Sequence, residues 1–295
     1  GTEETKEMIR ESLFQRLFKT TQETQRTSGI QRSVTLDQQF RMHPDLANLI
    51  STSFYAPHNE PYESPSGEDF CNAFDHQLEG KESGKRFIWR SIPNSMGQEN
   101  RPTGGFSWRR EIEAEYVAKE AKALLDAAPL LSIGIITFYS AQVAEIRRAL
   151  KQEGVTESKE DTNSITVTPN YRNFPPGQKN KHGDNERLRI GTVDAFQGKE
   201  FDVVILSPVR SNTIKSPPEG AKQSRIRRKF GHLLLPNRLC VAMSRQRSLL
   251  VVVGDDEMFA CPANDNSMDH PVSGLPEFLS MCETPIGLYS SIYYS

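Results

Sequence analysis

The chain has 295 residues, with 36 Lys and Arg against 38 Asp and Glu, so its formal net charge is −2 at pH 7. This length and a charged fraction of 25% are typical of a globular protein that buries a substantial core, either as one large α/β domain or as two small ones. The charge balance excludes a protein held to nucleic acid by bulk charge, so any nucleic-acid site must be local.

The sequence contains no apolar run long enough to span a bilayer, and its charged beginning, Gly1–Arg10, is unlike a secretory signal. The cysteines are far apart and form no Cys-x-x-Cys pair, so neither a zinc site nor a disulfide framework is predicted. Such cysteine usage favours a reducing compartment. We therefore expect an intracellular protein, cytoplasmic or in the nucleus or nucleoid, with no membrane partner and no metal site of its own. The cysteines are Cys71, Cys240, Cys261 and Cys282.

The first sixty residues predict two helices and one strand. Apolar residues recur at helical spacing from Thr5 to Lys19, which predicts an amphipathic helix arriving from a preceding domain. Thr20–Gly29 is polar and is interpreted as a loop. Ser33–Leu36 is predicted to be the first strand of the sheet. Pro44 suits the first position of a helix, which is expected to run from about Asp45 to Tyr55.

Two polar stretches, residues 56–84 and residues 151–186, interrupt the apolar pattern and are interpreted as surface insertions. In the second, Lys179, Lys181 and His182 are either nucleic-acid contacts or, as is more common, part of a solvated loop.

Between the insertions the sequence predicts alternating strands and helices. Arg86–Ile92 has the pattern of a strand, and Pro93–Phe106 that of a loop. Glu111–Leu125 is strongly amphipathic and predicts a helix. Ile133–Thr137 is a buried strand, followed by a helix to about Leu150.

The last third of the chain contains two short apolar runs, Leu188–Val193 and Val203–Leu206, separated by a polar connection. Such runs are typical of buried parallel strands. The connection, taken alone, has the composition of a solvated turn. In an open α/β sheet it is expected at the carboxyl edge, where ligands bind. Pro236–Gln246 predicts a helix, Leu249–Val253 the last core strand, and Leu275–Cys282 a short closing helix.

Four segments together resemble one known family. They are QFRMHP at 39–44, IGIITFYSAQV at 133–143, TVDAFQGKE at 192–200 and VAMSRQR at 241–247. In this order they resemble the motifs of the second RecA-like domain, domain 2A, of superfamily 1B helicases of the Upf-like group. The resemblance implies a three-layer α/β sandwich with a mainly parallel central sheet over residues 31–258. Residues 1–30 are then a helix and loop from a preceding domain, and residues 259–295 a C-terminal tail with a short helix.

The resemblance also implies a nucleotide site. Arg41 takes the position that reaches the γ-phosphate, and Arg245 that of the arginine finger, which stabilises charge on the transferring phosphoryl group. Arg238 and Arg247 are secondary candidates. Three further residues, Gln39, Phe40 and Glu200, match positions that contact the nucleotide base and ribose, and Gly198 permits close approach of backbone to phosphate because it lacks a Cβ.

A single-strand track is implied at the ends of the strands. The candidate residues offer an aromatic face, hydroxyl and amide groups, and charge that suit backbone contact without base selection. Helix capping by Ser140 is an equally good interpretation of that residue. Lys215–Lys229 is a basic loop that either contacts phosphates or stays solvated. The track candidates are Tyr139, Ser140, Gln142, Thr192, Asp194, Arg210 and Asn212.

The sequence departs from the family at several places. Phe40 replaces the usual Tyr, Phe138 the usual Pro, Arg110 an Asn and Cys240 another Asn. The phosphate-binding pattern GxxxxGK[ST] is absent from the 295 residues. Val251–Glu257 imitates a magnesium-binding strand end, but its place after the arginine-finger helix favours a structural role.

The resemblance implies the C-terminal motor half of an ATP-dependent nucleic-acid helicase or translocase. ATP and Mg²⁺ would be bound mainly by an N-terminal RecA-like domain of the same protein, and single-stranded DNA or RNA would be the other partner. The chain alone is then expected to be inactive. Two alternatives from other classes remain open: a nucleotide-independent single-strand-binding module, and a regulatory interaction domain with a degenerate RecA-like fold.

Overall fold

A computed structural model describes residues 13–34, 36–159, 164–215, 223–260 and 270–291. The chain forms two compact units, Gly1–Gln38 and Gln39–Ser295.

The described part of the first unit is one helix and an extended segment. Helix α1 runs over Leu13–Ser28, so the loop predicted for Thr20–Gly29 is wrong. Threonine hydroxyls bond to carbonyls one turn earlier, as Thr21 does to Leu17 at 2.7 Å, so these polar side chains find partners within the helix. Gly29, at φ +68°, ends the helix in the left-handed conformation. The predicted helix before Leu13 lies outside the described residues.

The strand predicted at Ser33–Leu36 is also wrong for the residues that the structure describes there. Val34 is 73% exposed and Leu36 is 85% exposed. The Gln25 carboxamide accepts the backbone N–H of Arg32 at 3.1 Å, which folds this segment back toward α1. Thr35 lies outside the described residues.

The second unit is built on a parallel sheet. Its strands are β1 (Phe87–Ser91), β2 (Ile133–Thr137), β5 (Leu188–Thr192), β6 (Phe201–Ser207), β7 (Gln246–Gly254) and β8 (Gly287–Ser291). They lie in the order β5-β2-β6-β7-β1-β8, and every neighbouring pair is parallel. A separate antiparallel hairpin contains β3 (Thr156–Ser158) and β4 (Ile165–Val167).

The helices of the second unit are α2 (Pro44–Ile50), continued by a π-helical turn over Ser51–Tyr55, α3 (Glu68–Asn72), α4 (Glu111–Ala127), α5 (Ser140–Gln152), α6 (Pro169–Arg172), α7 (Gln223–Phe230), α8 (Pro236–Met243) and α9 (Leu275–Met281). The predicted basic loop is thus helical from Gln223, and residues 216–222 lie outside the described residues.

Alternate side chains of each strand enter two separate cores. On one face, Ile135, Ile205 and Val251 pack against α4 and α5. On the other, Ile136, Leu206 and other side chains pack with residues from α2, α8 and α9. Strands that bury both faces are uniformly apolar, as the runs in the sequence are. The result is the three-layer α/β sandwich of a RecA-like fold, which confirms the predicted fold class.

The connection from β5 to β6 crosses the sheet instead of remaining at one edge. Thr192 ends β5 at the carboxyl edge, a 3-10 turn covers Val193–Phe196, and Phe201 begins β6 at the amino edge. A Cβ on Gly134 would lie 2.8 Å from the Phe196 ring, so glycine is needed where the connection passes over β2. The expectation that the whole polar connection lies at the carboxyl edge is therefore wrong for its second half.

The described residues after Met258, which are 259–260 and 270–291, contain a strand of the sheet as well as the predicted short helix. The predicted closing helix is present as α9, and its Phe278 is fully buried with its ring centroid 5.6 Å from that of Phe87. After it, β8 pairs with β1 along its whole length, from Phe87 opposite Gly287 to Ser91 opposite Ser291. Both elements therefore belong to the core of the second unit.

The two insertions are anchored to this core. Phe74 of the first is 4% exposed and stacks on the His182 ring of the second. The Lys181 ammonium donates to the Asp75 carbonyl at 2.9 Å. Lys181 and His182 thus contact the first insertion, and His182 also lies 3.4 Å from Asp202 at the start of β6.

Candidate functional site

An arginine cluster, composed of Arg41, Asp184, Glu200, Arg245 and Arg247, lies at the amino edge of the sheet. The Arg41 Nε is 2.6 Å from one Glu200 oxygen, and Arg247 is 3.3 Å from the other. Arg247 also pairs with Asp184 at 2.9 Å. One carboxylate thus joins two guanidinium groups that come from distant parts of the chain.

Arg245 lies beside Arg41. The Arg245 Nη2 donates to the Ser244 hydroxyl at 3.1 Å, and an Arg41 Nη donates to the Ser244 carbonyl at 3.5 Å. Burial lowers the pKa of Arg245, and the nearby positive charge of Arg41 lowers it further, while Glu200 raises it. Two adjacent guanidinium groups with these surroundings form a site that attracts an anion.

The loop that carries Arg41 is braced by the side chain of Gln39. Its carbonyl oxygen accepts the backbone N–H groups of Arg41 at 2.8 Å and Met42 at 3.0 Å. Its amide nitrogen donates to the Met42 carbonyl and to the Ser64 hydroxyl. Gln39 therefore positions Arg41 and ties its loop to Ser64 of the first insertion, so both ends of its amide are engaged within the protein.

His43 fixes the same loop to the sheet and to α2. Its backbone N–H donates to the Arg247 carbonyl at 2.8 Å, and its Nδ1 accepts the Asp45 N–H at 3.2 Å as the cap of α2. Burial lowers the pKa of His43 to about 4, with a further contribution from the positive charge of Arg86. The neutral imidazole is the form that can accept this bond.

Phe40 points outward from the loop, with 66% of its surface exposed. Its ring meets the Phe70 ring edge-on, at a centroid distance of 6.2 Å. This leaves aromatic surface available for stacking beside the arginine cluster.

Gly198 lies in the crossing connection with φ +74°, and a Cβ there would meet nothing within 4 Å. The backbone conformation, and not a lack of space, is what favours glycine here.

A groove of about 1070 Å³ opens at the opposite, carboxyl edge of the sheet. Its lining includes five arginines and one carboxylate, that of Asp194, together with aromatic side chains. The excess of positive charge and the aromatic content suit a single strand of nucleic acid. The arginines are Arg101, Arg210, Arg227, Arg228 and Arg238.

Five of the seven track candidates line this groove: Tyr139, Ser140, Thr192, Asp194 and Arg210. Asp194 is at its rim, paired with Arg238 at 2.6 Å. Tyr139 is only 4% exposed, and its hydroxyl accepts the His232 N–H at 3.3 Å. Its ring is therefore largely covered, contrary to the predicted aromatic face.

Arg210 forms part of the floor of the groove and is 2% exposed. It pairs with Glu99 at 2.7 Å and lies over the Trp108 ring at 4.9 Å. Ser140 lies at the rim, with its hydroxyl 3.2 Å from that of Ser107. Ser140 is the first residue of α5, whose N-cap position is held by Tyr139, and it is the Ser107 hydroxyl that accepts the Ala141 N–H of the first turn.

Gln142 and Asn212 are not in the groove. Gln142 is fully buried, where its amide oxygen accepts the Arg110 N–H at 2.8 Å and its nitrogen donates to Ser207 at 3.1 Å. Asn212 donates to Glu99 at 3.1 Å and to the Lys229 carbonyl at 3.0 Å. Both side chains hold neighbouring segments together, because their polar groups are satisfied within the protein.

Residues 9–257 of the chain match the family described as AAA domain (AAA_12). The chain belongs to this family. It is 28% identical over 85% of its length to a Regulator of nonsense transcripts 1 homolog of Arabidopsis thaliana, and covers 16% of that protein. It is 27% identical over 75% of its length to Helicase sen1 of Schizosaccharomyces pombe, and covers 11% of that protein. It is also 27% identical, over 77% of its length, to NFX1-type zinc finger-containing protein 1 of Mus musculus, and covers 9% of that protein.

The chain is thus a superfamily 1 helicase domain of the Upf-like group, as the four motifs predicted. It spans less than a fifth of the length of these relatives.

The groove of this Upf-like domain also contains residues that were not among the seven track candidates. Arg101, Phe106 and Trp108 lie on a short hairpin that begins in the predicted loop Pro93–Phe106, and Arg227 and Arg228 lie on α7, in the basic stretch named above. The basic run before Phe230 was a signal for the last two. Nothing in the local pattern distinguished the hairpin from solvated loop.

Arg110, which stands where the family has Asn, binds backbone carbonyl groups in the interior of the Upf-like domain. It is fully buried and donates to the carbonyls of Ile92, Pro93 and Gly97 at 2.8–2.9 Å. It also lies 3.5 Å from Glu113, a buried carboxyl group whose pKa burial raises to about 7.

Across the described ranges, no three His, Cys, Asp or Glu side chains are grouped so that they could hold a metal ion, and no helix is long and apolar enough to cross a bilayer. Asp255 and Asp256, the acidic residues after β7, instead bond to Ser211 at 2.6 Å and to the Tyr289 hydroxyl at 2.8 Å. The three cysteines among the described residues are free.

Proposed function

We propose that this chain is the C-terminal motor half of an ATP-dependent nucleic-acid helicase or translocase. The observation that carries the proposal is the arginine cluster. Arg41 and Glu200, 159 positions apart, are joined by a hydrogen bond of 2.6 Å, and Arg245 lies beside them. The positive charges of Arg41 and Arg245 repel each other, so folding alone does not favour bringing these two guanidinium groups together.

In this proposal ATP binds between this chain and a preceding RecA-like domain of the same protein. When bound, ATP supplies a γ-phosphoryl group for transfer to water. Arg41 and Arg245 contact that group, and Arg245 stabilises the charge that develops on it. Phe40 stacks on the base. The described residues contain no metal-binding cluster, so Mg²⁺ is assigned to the preceding domain.

In this proposal the Glu200 carboxylate has two alternative interactions, one with the nucleotide ribose and one with arginines of the cluster. The family position implies a hydrogen bond from the ribose, whereas here the carboxylate is bonded to Arg41 and Arg247. We propose that Glu200 holds the two guanidinium groups in place until the γ-phosphate binds to them. Its carboxylate then accepts a hydrogen bond from the nucleotide ribose.

The crossing connection offers a route from the cluster to the groove. Thr192 and Asp194 begin it at the groove, and Glu200 ends it in the cluster, eight positions after Thr192. In this proposal, movement at one edge is transmitted to the other through the connection, which packs tightly over Gly134. We propose that this coupling changes the grip on a single strand as nucleotide is hydrolysed.

The test uses the longer protein to which the proposal assigns this chain. Arg245→Ala is expected to lower ATP turnover by roughly a thousandfold or more, because an arginine finger contributes that much. Single-strand binding in the absence of nucleotide should be retained, since Arg245 lies away from the groove residues.

Arg148→Ala is the matched control, because this exposed arginine pairs with Glu145 on α5 and contacts neither the cluster nor the groove. Turnover unchanged in Arg245→Ala would refute the finger assignment. ATP hydrolysis by the purified 295-residue chain alone would refute the proposal that it is half of a motor.

A further inference from the structure

Phe106 is the most exposed large apolar side chain of those described, with 89% of its surface accessible. Single exposed apolar residues are common on protein surfaces and need no explanation by themselves. Phe106, however, lies on the lining of the basic groove. An exposed ring has a different meaning there, because it faces the place where a ligand would lie.

The hairpin that carries Phe106 is held at three points. Asn100 and Arg109 exchange backbone hydrogen bonds of 2.8 and 2.9 Å at its base. The Gly105 N–H donates to the Pro102 carbonyl at 2.8 Å. The Ser107 hydroxyl, next to Phe106, accepts the Ala141 N–H at the start of α5 at 3.0 Å. The ring is therefore presented by an anchored turn.

The other aromatic residues of the groove are already engaged. Phe138 and Tyr139 are 3% and 4% exposed. Two guanidinium groups lie over the Trp108 ring, that of Arg101 at 4.2 Å and that of Arg210 at 4.9 Å from its centroid. Among the Phe, Tyr and Trp residues of the described lining, Phe106 is thus the one whose ring has a largely free face. The exposed imidazole of His232 already meets the Tyr139 ring, at a centroid distance of 5.2 Å.

Cationic side chains on α7 complete the arrangement. Arg227 and Arg228 are exposed on the same groove lining as Phe106. Guanidinium groups that follow a phosphate backbone, together with an aromatic ring that meets a base, are the combination by which proteins hold single strands without reading their sequence.

We propose that Phe106 stacks on an unpaired base of single-stranded nucleic acid bound in the groove. This inference rests on the proposed function, which places a strand there, and adds the residue that distinguishes a strand with bases from a bare phosphate backbone. Every base has an aromatic face, so the contact tolerates any sequence and excludes a duplex, in which the bases are already stacked.

The test compares two fluorescent oligonucleotides of equal length, one with bases and one abasic, titrated with the purified chain at one fixed salt concentration. Phe106→Ala is expected to weaken binding of the base-containing strand about tenfold, and to leave binding of the abasic strand unchanged. Phe106→Trp should retain wild-type affinity. Because Phe106 is exposed, its replacement leaves the core intact.

Leu130→Ala is the matched control, since Leu130 is a 59% exposed apolar residue outside the groove lining. Equal affinity of Phe106→Ala and wild type for the base-containing strand, or equal weakening on both strands, would overturn the stacking assignment alone. Failure of the wild-type chain to bind either strand would overturn the proposed track, and this inference with it. DNA and RNA versions of both strands show whether the sugar matters.

Discussion

The arginine cluster at one edge of the sheet and helix α7 in the groove at the other use arginine in opposite ways. In the arginine cluster, Arg41 and Arg247 share the carboxylate of Glu200. In the groove, Arg227 and Arg228 are exposed, and neither forms an ion pair with a described residue. A paired guanidinium is held in one position and suits recognition of one particular anion. An exposed guanidinium suits contact with any phosphate of a flexible backbone.

The difference also concerns charge. Three arginines of the cluster face two carboxylates, so an anion that enters must compete with Glu200 and Asp184. The groove has five arginines in its lining, of which Arg210 pairs with Glu99 and Arg238 with Asp194, so three carry no ion pair to a described residue. We therefore expect the isolated chain to bind free triphosphate weakly and single strands more strongly, with a pronounced dependence on salt.

The largest expected effect is a loss of folding stability in acid, and it comes from His43 in the loop that carries Arg41. The pKa of His43 is lowered from 6.5 to about 4 in the folded state, whereas unfolding restores the ordinary value. Between these values the unfolded chain binds more protons, so stability is lost as the pH falls from 6.5 toward 4. The loss reaches about 3 kcal/mol at the lower end of this window.

Urea unfolding at several pH values, compared with His43→Asn, measures this contribution. Asn can still cap α2 but does not titrate, so its stability should fall less with acid. Parallel curves for the two proteins would show that His43 is not the group responsible.

The groove is tested by Arg227→Ala combined with Arg228→Ala. Loss of two phosphate contacts should weaken single-strand binding about tenfold at low salt and reduce the slope of log affinity against log salt by about 1.4. Arg148→Ala on α5 serves as the control for loss of surface charge. An unchanged salt slope would exclude these two arginines from the track.

Glu200→Gln is expected to have the smallest effect, a change in the affinity for inorganic triphosphate. The direction of that change tests the role of Glu200. Removal of the negative charge leaves Arg41 and Arg247 without their shared carboxylate, so the isolated chain should bind inorganic triphosphate about threefold more tightly. The cluster is partly exposed, which keeps the change small. Calorimetric titration measures it, and weaker binding would show that Glu200 is not the counter-ion of the cluster.

The sequence predicted the elements whose signal is local. The core strands and the helices α4 and α5 have strong apolar patterns, and the structure has them within a few residues of the expected bounds. The convergence of Arg41 and Arg245 followed from the family resemblance, because spacing along the chain contains no such information.

What the sequence did not predict depends on contacts between distant segments. Tyr139 is covered because His232 and Arg210 pack around it, and nothing beside Tyr139 in the chain indicates this. The crossing of the β5–β6 connection requires glycine at 134, more than fifty positions away. The strand β8, Gly287–Ser291, has too few apolar residues to be distinguished from loop.

That last strand has a practical consequence for anyone who prepares a shorter protein. The family match stops at residue 257, but β8 covers the outer side of β1, and α9 covers the rings of Phe87 and Trp89. A fragment that stops at the end of the family match would leave the edge of β1 unpaired and would expose the aromatic side chains that α9 covers. Such a fragment should aggregate on expression, whereas one extended past Ser291 should remain monodisperse.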